Sequence, residues 1–130
     1  MTASHTHKLA VVEVYISAFA TGDAGAAAAL YAPDATIEDP VGSSVVSGPE
    51  AILALYRSAM DRGLKLERTG QVCTAGDSAA FPFRILYPPQ AGGIDVIDTF
   101  RFDQQGRIVQ MRAFWGPDNI HLSEESQDHA

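Results

Sequence analysis

Apolar residues recur every three or four positions in the first stretch of the chain. Leu9, Val12, Tyr15, Ile16 and Phe19 share one side of a helix that Thr21-Gly22-Asp23 ends. Asp23 can cap a second helix, Ala24 to Ala32, which is rich in Ala and stopped by Pro33. Ala35-Thr36-Ile37-Glu38-Asp39 then alternates as a short strand before Pro40-Val41-Gly42 turns it. A third helix starts near Pro49, with Ile52, Leu55, Tyr56 and Ala59 inward and Gly63 behind it. From there the period is two. Strands are predicted over Leu64 to Cys73, Ser78 to Tyr87, Ile94 to Asp103 and Arg107 to Trp115. Asp103-Gln104-Gln105-Gly106 forms a hairpin connection, and Pro82 marks an edge or a bulge. Three helices followed by a hairpin-rich, mostly antiparallel sheet define an α+β domain. A twisted sheet can curl around the helices and leave a cone with an apolar pocket. Phe81, Phe83, Ile85 and Tyr87 are expected to line it from one strand, and Val109, Met111, Ala113 and Trp115 from another.

Polar side chains that fall on apolar faces carry the chemical information. In Ile94 to Asp103 the inward set is Ile94, Val96, Asp98, Phe100 and Phe102, so Asp98 shares a buried stripe. A carboxylate there must find a partner or take up a proton, and a protonated acid can donate a strong hydrogen bond at neutral pH. Asp39 repeats the anomaly beside Ile37 and Ala35, and the following Pro40 biases it towards an extended backbone. Each acid also has a plain structural reading: a buried Asp held by backbone amides, or a turn-initiating Asp before Pro. Tyr15, Tyr31 and Tyr56 lie on the inner faces of the three predicted helices, where each hydroxyl needs a partner. Three inward phenols beside two inward acids are harder to explain as ordinary core than any one of them.

Composition narrows the class. The 130 residues form one domain, 1–130, with 1–7 and 122–130 read as flexible tails. Net charge of −7 argues against a nucleic-acid or anionic-membrane partner. The single Cys73 suits a reducing cytoplasm, and no stretch is long and apolar enough to span a bilayer. Lys8 precedes an apolar run, Leu9 to Ala20, but Glu13 and the helical period mark that run as a helix rather than a signal sequence. His5-Thr6-His7 has metal-capable spacing without an acidic cluster beside it, and His121 and His129 stand apart. No metal or cofactor is expected. Gly-rich phosphate loops, nucleophile elbows and nucleophile–His series are missing from the sequence.

From Leu9 to His121 these residues, in this order, resemble the bacterial Δ5-3-ketosteroid isomerases. The most specific stretches are Tyr31-Ala32-Pro33-Asp34-Ala35-Thr36-Ile37-Glu38-Asp39-Pro40-Val41-Gly42, Ile97-Asp98-Thr99-Phe100-Arg101-Phe102 and Met111-Arg112-Ala113-Phe114-Trp115-Gly116. The resemblance implies a nuclear-transport-factor-2-like cone, a homodimer and cofactor-free steroid isomerisation. It also implies catalytic roles: Asp39 as general base, with Tyr15 and protonated Asp98 as the oxyanion hole, the reference case for an acid kept neutral. Tyr31 and Tyr56 match supporting tyrosines, and Phe83, Met111 and Trp115 are assigned to the steroid pocket. Polyketide-cyclase-like enzymes and non-catalytic binders of steroids or other hydrophobic ligands share such a cone and remain alternatives. The loop 87–93 follows no family pattern. An apolar patch of Leu86, Ile108 and Phe114 on the outward sheet face is consistent with the implied homodimer.

Overall fold

In the computed structural model, which describes residues 3–87 and 92–122, the first helix, α1, runs from His5 to Thr21. Ser4 caps it by accepting from the His7 amide at 3.0 Å, and Gly22 closes it with a φ of 72° that favours glycine. His5 to His7 are therefore helical rather than part of a tail. His5 Nδ1 is hydrogen-bonded to Thr74 Oγ1 and His7 Nε2 to the Gly106 carbonyl, each at 2.7 Å. The buried face is Lys8, Val11, Val12, Tyr15, Ala18 and Phe19, rotated slightly from the predicted stripe, with Leu9 and Ile16 half-buried. Lys8 is buried because its amine donates to the Gly76 carbonyl at 2.7 Å.

Helix α2 is one short segment, Ala24–Ala28, and the chain becomes strand β1 at Tyr31–Glu38. The predicted continuation to Ala32 fails because tertiary pairing outweighs alanine's helix preference. Tyr31 pairs with Ile108, and the Ile108 amide donates to the Leu30 carbonyl at 2.9 Å. Pro33 lies where the β1 register shifts, so its missing N–H breaks no regular ladder. Strand β2, Val46–Ser47, leads into α3, Pro49–Asp61, which buries Ile52 and Tyr56.

The predicted strand from Leu64 to Cys73 is two strands, β3 (Lys65–Arg68) and β4 (Cys73–Ala75). Both pair with the long β5, Ser78–Tyr87. Pro82 is thus inside a central strand, opposite the gap between β3 and β4. There it needs no donor on that side, and its carbonyl accepts from Thr69 at 3.1 Å. The sheet is completed by β6 (Gly92–Phe102), β7 (Ile108–Phe114) and β8 (Ile120–Leu122). Its order is β2-β1-β7-β6-β5-β3, with β4 on β5 and β8 on β6. Among the described strands only β1 and β7 run parallel.

Strand β6 alternates as its sequence requires: Ile94, Val96, Asp98, Phe100 and Phe102 are buried, while Ile97 and Arg101 are exposed. Strand β7 departs from its pattern. A bulge between the Arg101–Gln110 and Phe102–Ile108 pairs inserts Val109 and turns Ile108 fully inward. Ile108 is thereby removed from the outward patch. Leu86 is half-buried, and the exposed apolar residues there are Ile97 and Phe114. The expected loop residues 88–91 and the tail 123–130 lie outside the described residues.

Candidate active site

A pocket of about 270 Å³ opens between α1, α3 and the inner face of β5 and β6. Its inner end is built by Tyr15, Tyr56 and Asp98, and its rim by Asp39 and Trp115. Phe83 lines it as predicted, alongside Ile85, Ile94 and Val96. Met111 does not. It pairs with Ile37 and with Phe100, two positions along β6 from Asp98, whose own β7 partner is Ala113.

Asp98 is 1% exposed, and neither carboxyl oxygen meets a protein hydrogen-bond partner among the described residues. Burial pushes its pKa well above the ordinary carboxyl value, and the charge of Asp39 adds to the rise. Tyr15 lies near enough to favour the ionised form slightly, without reaching hydrogen-bond geometry. Its ring is fixed by edge-to-face contacts with Phe19, Tyr56, Phe81 and Phe100, at centroid distances of 5.3 to 6.0 Å. The Tyr15 hydroxyl is held protonated chiefly by burial, then by the neighbouring Asp98.

Behind this pair, the Tyr31 and Tyr56 hydroxyls are hydrogen-bonded to each other. Tyr56 comes from α3 as predicted, whereas Tyr31 begins β1 rather than sitting on a helix. Burial raises both phenols well above their usual range. The network is therefore one of neutral donors.

Asp39 follows the last residue of β1 and precedes a cis bond to Pro40. Two contacts hold this turn against β7: the Val41 amide donates to the Ala113 carbonyl at 2.8 Å, and Arg112 pairs with Glu38 at 3.2 Å. The Asp39 residue keeps exposed surface at the rim, yet its carboxyl is partly enclosed by the pocket wall. That loss of water raises its pKa, opposed by Trp115 Nε1, which donates to Oδ1 at 2.8 Å. The pocket thus holds two carboxyls in different settings. One is sealed among aromatic rings; the other is water-accessible with one fixed donor.

Sequence reasoning missed the outer wall: Leu55, Ala59, Arg62, Leu64 and Leu66. The signal was present, because extending the α3 stripe through 52, 55, 56 and 59 brings residue 62 onto the same side. Among the described residues no group of three or more His, Cys, Asp or Glu side chains could hold a metal ion. No helix there is long and apolar enough to cross a membrane.

The fold and the acid-bearing pocket define a class. The chain belongs to the SnoaL-like domain family, whose profile matches residues 12–111. Within it, the chain is a member of the steroid Delta-isomerase family. It is 42% identical over 113 residues to the steroid Delta-isomerase of Nocardioides simplex, covering 85% of this chain and 91% of that protein. It is an isomerase by that relationship. A more distant relative is the epoxide hydrolase LasB of Streptomyces lasalocidi, 34% identical over 95 residues, which span 67% of this chain and 33% of LasB. Among solved structures, the epoxide hydrolase/cyclase-like enzyme SalBIII, described for pyran ring formation in the polyether salinomycin, superposes with a TM-score of 0.84. That pair shares 27% identity, over 92% of this chain and 98% of the other.

Proposed function

We propose that this enzyme converts 3-oxo-Δ5-steroids to 3-oxo-Δ4-steroids by moving one proton through a dienolate. The observation that carries the reading is Asp98: a sealed carboxyl with both oxygens unpaired, facing a pocket that also contains Asp39. Asp39, ionised, takes the proton from C4, and the electron pair moves through the carbonyl to the C3 oxygen. Tyr15 and protonated Asp98 donate hydrogen bonds to that oxygen, as in the ketosteroid isomerases. Asp39 then returns the proton at C6. A carboxylate can act on so weak a carbon acid only when the enolate is stabilised, and fixed donors in a dry pocket do this without reorganising. Tyr56 and Tyr31 would hold the donor end in place.

The test is direct. Mixing the protein with 5-androstene-3,17-dione should produce the ultraviolet absorption of a conjugated enone. No acceleration over buffer by folded protein would overturn the reading and favour epoxide opening or cyclisation on the same scaffold. We also propose a homodimer through the sheet face that exposes Ile97 and Phe114; a monomer by light scattering at micromolar concentration would refute it.

The pH profile reports on Trp115. Asp39 works only when ionised, and its pKa is raised from 3.8, so kcat/KM should fall on acidification with a midpoint above that value. Trp115→Phe removes the donor that favours the ionised form and should shift this acid limb to higher pH. An unmoved limb would show that Trp115 does not tune Asp39.

A further inference from the structure

The pocket has a second polar end. Arg62, at the C-terminal cap of α3, is its sole cationic lining residue among those described, and Leu64 and Tyr87 also line the pocket. Pairing along the sheet sets the distance to the reacting end: Asp98 lies opposite Phe81, and Ile94 opposite Ile85. Leu66 pairs with Ile85, which places Leu64 and Arg62 at the Ile94 end. Ile94 is four positions before Asp98 on β6, about 13 Å at the usual rise. That is roughly the long axis of a fused tetracyclic nucleus. Apolar wall fills the interval, with Leu55, Ala59, Val96 and Ile85 along it.

The Arg62 side chain makes one hydrogen bond within the protein among the described residues. Its Nε donates to the Ser58 carbonyl at 3.3 Å, and among the described residues the terminal nitrogens of the guanidinium have no hydrogen-bond partner. Among the described residues no carboxylate pairs with it. A lone cation at the mouth of an apolar pocket stands out in a chain of net charge −7. A guanidinium fork matches a carboxylate better than any neutral acceptor.

We propose that Arg62 makes this enzyme select steroids that carry a carboxylate at the ring-D end, remote from the C3 oxygen. The inference rests on the steroid reading above and names the substrate class within it. Because Arg62 is exposed, the gain is modest, about five-fold over an uncharged substituent of the same shape, and shrinks as salt is added.

The experiment measures binding, so it does not depend on turnover. The affinities of 3-oxo-4-androstene-17β-carboxylate and its 17β-carboxamide are compared by calorimetry for the parent, Arg62→Ala and Arg62→Lys. The expected result is a carboxylate preference in the parent that falls with ionic strength, vanishes in Arg62→Ala and partly survives in Arg62→Lys. Equal affinities in the parent, or equal losses for both ligands in Arg62→Ala, overturn the proposal while leaving steroid isomerisation intact. Failure of both ligands to bind folded parent protein would overturn the steroid reading, and this inference with it.

Discussion

Asp39→Asn is expected to lower kcat by about 10²–10⁴-fold, the usual worth of a positioned general base, while steroid affinity is preserved. The amide is nearly isosteric and can still meet Trp115, which reaches Oδ1 from the β7 end. The turn is held from outside the pocket by Glu38 and Val41, so the variant should fold. Loss of binding together with activity would make Asp39 a structural residue. Near-normal turnover would remove it from the chemistry and leave the pocket without a base.

At the other end of the reaction path, Tyr15→Phe and Asp98→Ala should each reduce kcat by about 10²–10³-fold, as when one oxyanion donor is lost. Water entering the gap would lessen the effect. Asp98→Asn should be milder, because an amide still donates from a similar position. A phenolic steroid should bind the parent as a mimic of the dienolate, its oxygen facing Tyr15 and Asp98, and bind Asp98→Ala more weakly. The ordering is diagnostic, since an ionised base at position 98 would not tolerate Asn better than Ala. Kinetics at neutral pH decide it. Asp98→Asn as damaging as Asp98→Ala, with phenol affinity unchanged in both, would end the neutral-acid assignment.

What the sequence reveals here is local. The alternation of β6 put Asp98 inward and the periodicity of α1 put Tyr15 inward, because both elements have one clearly apolar face. What it hides is set by partners far along the chain. Tyr31 reads as helical until its parallel pairing with Ile108, and nothing near Tyr31 announces that neighbour. The bulge that inserts Val109 flips Ile108 to the core, which simple alternation cannot see. Inward alternation also points Met111 at the pocket. Facing inward does not fix position along the strand, which depends on register with Phe100. The sequence points to Asp39 as base and Trp115 as pocket wall, but their hydrogen bond joins residues just beyond the ends of β1 and β7 and appears only in three dimensions.

The sealing of Asp98 has a thermodynamic consequence for the whole molecule. In the unfolded chain this side chain ionises near the ordinary value of 3.8, whereas the folded state keeps its proton to much higher pH. Folding at pH values between the unfolded and the folded pKa therefore takes up a proton at this position. The contribution to stability is complete below the unfolded pKa and declines as pH rises towards the folded one. Glu38, Asp95 and Asp103, whose pKa values are lowered, act in the opposite direction, so comparison with a variant is needed to isolate the effect. Asp98→Asn carries no ionisable proton. In denaturant titrations it should gain on the parent between pH 4 and pH 7, and a constant difference across that range would refute the linkage. The acid proposed to stabilise charge in the reaction thus makes the resting protein less stable as pH rises above the unfolded value, as far as this one group is concerned.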